Sequence, residues 1–260
     1  MLTTEQLPLS SKYDPEWVFE NEMGPNVLWL TEALCQVMDF TPGMRVLDMG
    51  CGRAMSSIFL AKEFDLQVWA NDLWIDATEN WKRICEAGVE DRVFPIHAEA
   101  HALPYAEEFF DAIVSMDSYH YYGTDDLYFG WYFAKLVKPG GQIGIVVPGL
   151  TQDFEGSVPQ HLATAPPGRQ PFWDPRECFS FHTARWWRRH WEQTNLVDIE
   201  LAEDLPNGWR LWLHWEEARD AAGATKRGSD AETLRADGGS EEGWVRDGFD
   251  LRRIFLDSAR

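Results

Sequence analysis

Acidic residues and glycines follow two short apolar segments, where they could hold a small ligand. Asp48, Gly50 and Gly52 come at the end of the segment 45–47, and Asp72 lies 20 positions after Gly52. Glycines let a backbone pass close to a ligand, and a carboxylate can accept hydrogen bonds from both hydroxyls of a ribose. An acid inside such a turn disfavours a pyrophosphate and suits a cationic amino group. The spacing therefore predicts a strand–turn–helix–strand unit that binds a nucleotide-like ligand.

The stretch Val-Leu-Asp-Met-Gly-Cys-Gly at 46–52 closely resembles the first motif of class I S-adenosylmethionine (SAM) dependent methyltransferases. Ala54 stands where that family often has a third glycine. Two further stretches resemble the family: Glu-Ala-His-Ala-Leu-Pro-Tyr at 99–105 and the predicted strand at 110–115. The resemblance implies SAM as cofactor and a small-molecule acceptor. It extends well over residues 40–150 and elsewhere only by general plan.

The resemblance also implies which side chains hold the cofactor. Asp72 is expected to accept the ribose hydroxyls, Glu99 and Ala100 to contact the adenine, and Tyr13 to reach the methionine carboxylate. The full expected set of cofactor-binding residues is Asp48, Gly50, Gly52, Asp72, Leu73, Glu99, Ala100, Asp117 and Tyr13. NAD sites also place an acid at the tip of the second strand, so Asp72 does not by itself separate the two cofactors.

The loop after the predicted fourth strand, 116–123, lies where open α/β sheets bind ligands. His120 in this loop has an ordinary pKa suited to a general base near neutral pH, and some small-molecule methyltransferases carry a histidine at this position. A structural role for His120 stays open. Tyr119, Tyr121 and Tyr122 are expected to line the acceptor pocket, with packing as the alternative.

The composition limits the classes of partner that we expect for this protein. The 260 residues carry 23 Lys and Arg against 43 Asp and Glu, a formal charge of -20, which argues against nucleic acid and anionic membranes. No apolar run is long enough to span a membrane, and the first residues lack the profile of a signal peptide. The four cysteines form no paired motif, and the histidines show no metal-ligand spacing. We therefore expect a cytoplasmic protein without a metal and without membrane or nucleic-acid partners.

The expected fold class is α/β, a Rossmann-like seven-stranded sheet that is mostly parallel with an antiparallel C-terminal strand. The domain plan is an N-terminal helical cap (1–41), a SAM-binding domain (42–218) with a lid insertion (about 148–182), and a flexible linker with a C-terminal helix (219–260). Within this plan the residue patterns predict helices at 26–38, 124–136, 183–194 and 248–258, strands at 196–202 and 208–215, and a solvated linker at 219–243.

The function expected from these features is transfer of a methyl group from SAM to a small molecule by an in-line SN2 reaction, with His120 as candidate base. Three alternatives stay open: an NAD-linked oxidoreductase, a protein that holds SAM without turnover, and a lipid-modifying enzyme of the cyclopropane-synthase type.

Overall fold

The computed structural model describes residues 5–154, 156–165, 171–176, 178–223, 235 and 249–256. The helices are α1 (Pro15–Asn21), α2 (Val27–Cys35), α3 (Met55–Phe64), α4 (Ala77–Ala87), α5 (Gln160–Ala163), α6 (Ala184–Glu192) and α7 (Gly208–Ala221). The strands are β1 (Arg45–Met49), β2 (Gln67–Asp72), β3 (Val93–His97), β4 (Phe110–Met116), β5 (Val137–Leu150), β6 (His182–Thr183), β7 (Val197–Asp204) and β8 (Phe249–Leu256).

A single sheet runs in the order β3-β2-β1-β4-β5-β8-β7, and the short β6 pairs with β5 beside this path. β1 is parallel to β2 and β4, whereas β8 is antiparallel to β5 and β7. The predicted Rossmann-like, mostly parallel sheet with an antiparallel C-terminal strand is confirmed, and β6 adds an eighth strand. Because β1, β2 and β4 are parallel neighbours, their carboxyl ends meet at one edge of the sheet.

The two faces of the sheet bury separate apolar cores. Successive side chains of a strand point to opposite faces, so Val46 packs with α2 and α3 while Leu47 packs against the other face. Both side chains are completely buried. The second core includes Trp187 and Trp191 from α6, also completely buried. Burial on both faces explains why these strands are apolar throughout rather than alternating.

The predicted N-terminal helices are present. The side chain of Asp14 accepts from the backbone N–H of Glu16 and caps α1, and Pro15 occupies its first turn. The side chain of Asn26 accepts from the backbone N–H groups of Leu28 and Trp29 and caps α2. α1 ends at Asn21 and α2 begins after Asn26, so the segment 22–26 joins the two helices at the edge of the sheet where β1, β2 and β4 end.

Two predictions near the C-terminus are wrong. Residues 208–215 form the start of helix α7 instead of a strand, because Leu211, Trp215 and Ala218 repeat at helical spacing and pack into the first core. Residues 249–256 form strand β8 instead of a helix, because this segment fills the place between β5 and β7. A strand's paired neighbours can lie far away in sequence, so its local pattern did not reveal it.

The predicted helix at 124–136 is divided into a π-helical turn, Phe129–Phe133, and a 3-10 turn, Ala134–Leu136. The helix predicted at 183–194 is confirmed as α6. The linker predicted at 219–243 falls mainly outside the described residues. Within the described residues, no helix combines the length and the apolar character that crossing a membrane requires.

Candidate functional site

A cavity of about 320 Å³ opens at the carboxyl ends of β1, β2 and β4, beneath the segment that joins α1 to α2. Its walls come from this connection, from the glycine turn after β1, from the ends of β2 and β4, and from the stretch after β3. The lining residues used below are Met23, Gly24, Gly50, Cys51, Gly52, Arg53, Asn71, Asp72, Leu73, Glu99, Ala100, His101, Met116, Asp117, Ser118, Tyr121 and Tyr122. Most of the expected cofactor set therefore does come together.

The glycine turn after β1 is held by β2. The backbone N–H groups of Gly50 and Cys51 donate to the carbonyl of Asn71 at 2.9 and 3.0 Å. The N–H of Gly52 donates to Oδ2 of Asp72 at 2.8 Å. The sequence pattern predicts free N–H groups facing a ligand, but these three are engaged within the protein. The turn instead offers a close-fitting backbone wall.

Tight packing explains why small residues occupy this turn. Gly50 has a φ of 76°, and a Cβ built there would lie 1.8 Å from Oγ of Ser118. Ala54 has a φ of 60°, in the left-handed region that glycine favours, although it is an alanine. The glycine common at this position in the resembled family would adopt that backbone with less strain.

Asp72 is the most firmly positioned acid of the cavity. Its Oδ1 accepts from the backbone N–H groups of Trp74 at 2.7 Å and Ile75 at 3.0 Å, and its Oδ2 accepts from Gly52. Carboxylate oxygens accept more than one hydrogen bond each, so capacity for a ligand remains. Leu73, the next residue, lines the cavity and is 51% exposed. Both residues thus lie in the cavity wall, and their contact with a cofactor stays a prediction.

The stretch after β3 forms the opposite rim. Ala100 is buried in the cavity wall, and Glu99 is exposed beside it. Oε1 of Glu99 lies 2.8 Å from Nδ1 of His101, and its Oε2 accepts from the backbone N–H of His101. The hydrogen bond from His101 holds the pKa of Glu99 below its usual range. Glu99 is thus an anionic group at the cavity mouth.

Asn71 is a cavity residue that sequence reasoning missed. Its Nδ2 donates to the carbonyl of Ala98 at 3.2 Å, whereas its buried Oδ1 has no hydrogen-bond partner among the described residues. A buried polar atom without a partner costs free energy and marks a place where a ligand donor fits. The residue directly precedes Asp72, so the end of β2 could have suggested it.

Two expected cofactor residues lie outside the cavity lining. Asp48 is completely buried in β1, where its Oδ2 accepts from the hydroxyls of Ser56 and Ser57 at 2.5 and 2.6 Å. Burial raises its pKa to about 6. Tyr13 packs on Phe59, and its hydroxyl donates to Glu63 at 3.4 Å. Asp48 therefore supports the turn from behind, and the placement of Tyr13 corrects its expected contact with the methionine carboxylate.

Asp117, which follows β4, does line the cavity. Its backbone has a φ of 51°, and its N–H donates to the carbonyl of Val146 at 2.8 Å. Its carboxylate lies against Gly24 of the α1–α2 connection, where a Cβ would approach Oδ2 to 2.9 Å. Burial raises the pKa of Asp117 to about 7.

His120 is not part of the cavity lining. The side chain is 1% exposed, its Nδ1 has no hydrogen-bond partner in the part of the chain that the structure describes, and its ring lies 4.0 Å from that of Tyr121. Burial lowers the pKa of His120 to about 3, so the ring stays neutral near pH 7. A neutral, enclosed imidazole with so low a pKa is a poor general base. The structure therefore does not support the catalytic hypothesis for His120.

The three tyrosines of the same loop lie in two different places, the cavity wall and the second core. Tyr121 and Tyr122 line the cavity, as expected, and the hydroxyl of Tyr122 donates to the carbonyl of Met49 at 3.3 Å. Tyr119 is completely buried among Trp187, Trp191 and other aromatic rings of the second core. The prediction that Tyr119 lines the acceptor pocket is thus corrected in favour of its packing alternative.

The predicted lid does not reach the cavity with its described residues. Phe172 packs on Trp212 of α7, and Trp173 packs on Phe154, with ring centroids 5.8 and 4.7 Å apart. Phe172 and Trp173 therefore belong to a small apolar cluster that packs against α7, away from the cavity.

The connection between α1 and α2 covers the cavity and is fastened from two sides. Nε1 of Trp215 in α7 donates to the carbonyl of Gly24 at 2.8 Å. Arg219, also in α7, pairs with Glu22 at 3.3 Å. From the glycine turn, Arg53 donates to the carbonyl of Glu20 at 2.6 Å. Residues 20–24 thus have a defined position over the cavity.

Comparisons with known proteins give the class of this domain. Residues 46–141 match the family model described as a methyltransferase domain. This segment is therefore similar to known methyltransferase domains, and the match confirms the resemblance inferred from the sequence. The matched segment contains the glycine turn, Asp72, Glu99 and Asp117.

Particular relatives are similar over part of their length. Methyltransferase GfsG of Streptomyces halstedii is 31% identical over 139 residues, covering 52% of this chain and 50% of that protein. The 27-O-demethylrifamycin SV methyltransferase of Amycolatopsis mediterranei is 31% identical over 134 residues, covering 48% and 49%. The chain thus spans about half the length of these relatives.

A solved structure shows the same fold. Phosphoethanolamine N-methyltransferase 2 of Haemonchus contortus, in complex with S-adenosyl-L-methionine, has a TM-score of 0.69 at 20% identity. The alignment covers 93% of this chain and 55% of that one.

Proposed function

We propose that this protein binds SAM in the cavity at the ends of β1, β2 and β4 and transfers its methyl group to a small molecule. The observation that carries the proposal is the fixed carboxylate of Asp72, which faces the cavity beside the glycine turn. A carboxylate in this position suits a ribose diol. The cavity of about 320 Å³ has a size expected of a small-molecule site.

The polar atoms of the cavity also fit an adenosyl ligand. The unpartnered Oδ1 of Asn71 offers an acceptor next to Asp72. Ala100 provides a flat apolar wall with Glu99 at its edge, which suits an adenine ring and its amino group. Asp72, Glu99 and Asp117 supply negative charge for a ligand that carries a sulfonium. No cluster of three or more metal-ligating side chains lies within the described residues.

SAM supplies an electrophilic methyl group on a positively charged sulfur. The chain's own contribution would be to position the acceptor in line with that methyl and to exclude water. The segment 20–24 provides a cover, and Met23, Met116 and Tyr121 provide an apolar wall. The related rifamycin enzyme is named for an oxygen acceptor and the Haemonchus enzyme for a nitrogen acceptor. We propose an acceptor of one of these two kinds, and the four free cysteines favour a cytoplasmic location.

The test is a calorimetric titration with SAM and, separately, with S-adenosylhomocysteine (SAH), with NAD as the control ligand. We expect saturable binding of SAM and SAH and none of NAD. Binding of NAD alone would favour the oxidoreductase alternative. Binding of SAM without consumption across a metabolite panel would instead favour a protein that holds the cofactor without turnover.

A further inference from the structure

The carboxylate of Asp117 is the one acidic group of the cavity that has no partner in the described part of the chain. Asp72 is held by three backbone N–H groups, and Glu99 is paired with His101. Asp117 makes a backbone hydrogen bond, but its side-chain oxygens receive none from the described residues. Its left-handed backbone, with φ 51°, is an unfavourable conformation for a residue with a side chain. The fold thus holds a carboxylate at the cavity wall at some energetic cost.

Sheet topology places Asp117 opposite Asp72. In the register, Asp48 of β1 faces Ala70 of β2 on one side and Val114 of β4 on the other. Neighbouring strands lie about 4.8 Å apart, so the residues ending β2 and β4 are roughly 10 Å apart across the glycine turn. A ligand whose ribose lies at Asp72 and that extends across this turn would place its other end next to Asp117.

Among the described residues, no cation forms an ion pair with Asp117, and burial is the cause of its raised pKa. The other charged or titratable groups lining the cavity are Asp72, Glu99, His101, Arg53, Cys51, Tyr121 and Tyr122. Among these, the guanidinium of Arg53 donates to the Glu20 carbonyl, and His101 is bound to Glu99. Burial alone raises the pKa of Asp117 to about 7, so this carboxyl can both hold and release a proton near neutral pH.

We propose that Asp117 faces the reacting centre and receives the proton of the acceptor's nucleophile during methyl transfer. This inference rests on the proposed function. An acceptor O–H or N–H attacks the methyl carbon, a new bond to that carbon forms, and the carbon–sulfur bond breaks with its electron pair remaining on sulfur. The proton of the nucleophile passes to an oxygen of Asp117, which leaves the methylated acceptor and a neutral thioether.

The test uses two cofactor analogues and needs no knowledge of the acceptor. Sinefungin carries an amine on a carbon in place of the methyl-bearing sulfur, whereas SAH has neither methyl nor amine there. Affinities of both are measured by calorimetry for the wild type, Asp117→Asn and Asp72→Asn. The full chain is used, and circular dichroism confirms that each variant is folded.

We expect Asp117→Asn to weaken the binding of sinefungin at least tenfold and the binding of SAH less than twofold. Only sinefungin carries an amine at the position of the methyl group. Asp72→Asn should weaken both ligands equally, since both carry the ribose. Calorimetry at pH 6 in two buffers of different ionisation enthalpy gives a second readout. Sinefungin should release close to one proton from the wild type and none from Asp117→Asn, because its ammonium group displaces the proton of Asp117.

Other outcomes overturn the inference. An equal loss of affinity for sinefungin and SAH in Asp117→Asn would give this residue only the general cofactor-binding role that the sequence predicts. An unchanged affinity for both, or sinefungin binding without proton release from the wild type, would remove Asp117 from the reacting centre. These results leave the proposed function intact, whereas a wild type that binds neither analogue overturns both.

Discussion

Replacing Asp117 by asparagine should make the protein more stable, and by an amount that grows with pH. Asparagine matches the protonated aspartic acid in size but cannot ionise. In the wild type, burial raises the pKa of Asp117 from 3.8 to about 7. The folded protein therefore holds this proton more tightly than the unfolded chain, and stability falls as pH rises from about 4 to about 7. Asp117→Asn does not lose stability in this way, because asparagine does not ionise.

The size of the effect follows from the two pKa values. With 3.8 for the unfolded chain and about 7 for the folded protein, ionisation of Asp117 reduces the unfolding free energy by about 2 kcal/mol at pH 5 and about 4 kcal/mol at pH 8. The advantage of Asp117→Asn should thus increase by roughly 2–3 kcal/mol between these pH values. Asp48, whose pKa burial raises to about 6, is present in both proteins, so its contribution cancels.

The assay is urea unfolding followed by tryptophan fluorescence at pH 5 and pH 8. Asp198→Asn, on the exposed side of β7, is the matched control and should show the same difference from wild type at both pH values. A difference between Asp117→Asn and wild type that does not change with pH would refute the reasoning, because it would mean that Asp117 ionises as easily in the folded protein as in the unfolded chain.

The remaining predictions concern the turn, the loop and the cover. Asp72→Ala should lower the affinity for SAM, measured by calorimetry, at least tenfold. Gly50→Ala should destabilise the protein by at least roughly 1–3 kcal/mol more than Gly140→Ala, since both have φ 76° but only the first meets another side chain. The ring of His120 should stay neutral from pH 8 to pH 5 in a nitrogen-15 NMR titration, because burial lowers its pKa to about 3. Trp215→Phe should speed SAH dissociation about fivefold in stopped-flow experiments, because one hydrogen bond to the cover is lost, worth about 1 kcal/mol.

For each of these predictions, a specific result would contradict it. Unchanged SAM affinity in Asp72→Ala would remove the ribose role. Equal destabilisation by both glycine substitutions would show that the contact with Ser118 is unimportant. A protonation midpoint near pH 6.5 would restore His120 as a candidate base. For the cover, the exposed Trp131→Phe is the control, and equal dissociation rates in both tryptophan variants would contradict the role of Trp215.

The part of the cavity wall that the motif residues form could be predicted from the sequence, because local backbone geometry determines that part. A glycine turn after a buried strand and an acid at the end of the next strand meet when the parallel strands pair, so Gly50 and Asp72 line the same cavity. Asp48 shares the motif but lies inside the strand, where alternation turns its side chain away from the ligand. Motif membership alone therefore did not distinguish a supporting residue from a lining one.

The failures come from contacts that are distant in sequence. His120 is enclosed partly by Phe181, whose ring lies 5.9 Å away, and no local pattern shows that burial. Segment 208–215 looked like a strand because its aromatic residues favour strands, but packing against α1 and α2 makes it helical. β8 forms where two strands leave a gap in the sheet, a condition that its own residues do not encode.

The bond between Trp215 and Gly24 joins residues 191 positions apart. A ribosome makes the cover well before its fastening helix, so the growing chain lacks this bond until α7 has been synthesised. Final closure over the cleft must wait until α7 has folded. A chain ending before residue 208 would lack β8 as well as this helix, so both the sheet and the cover are completed by segments made after the cavity residues.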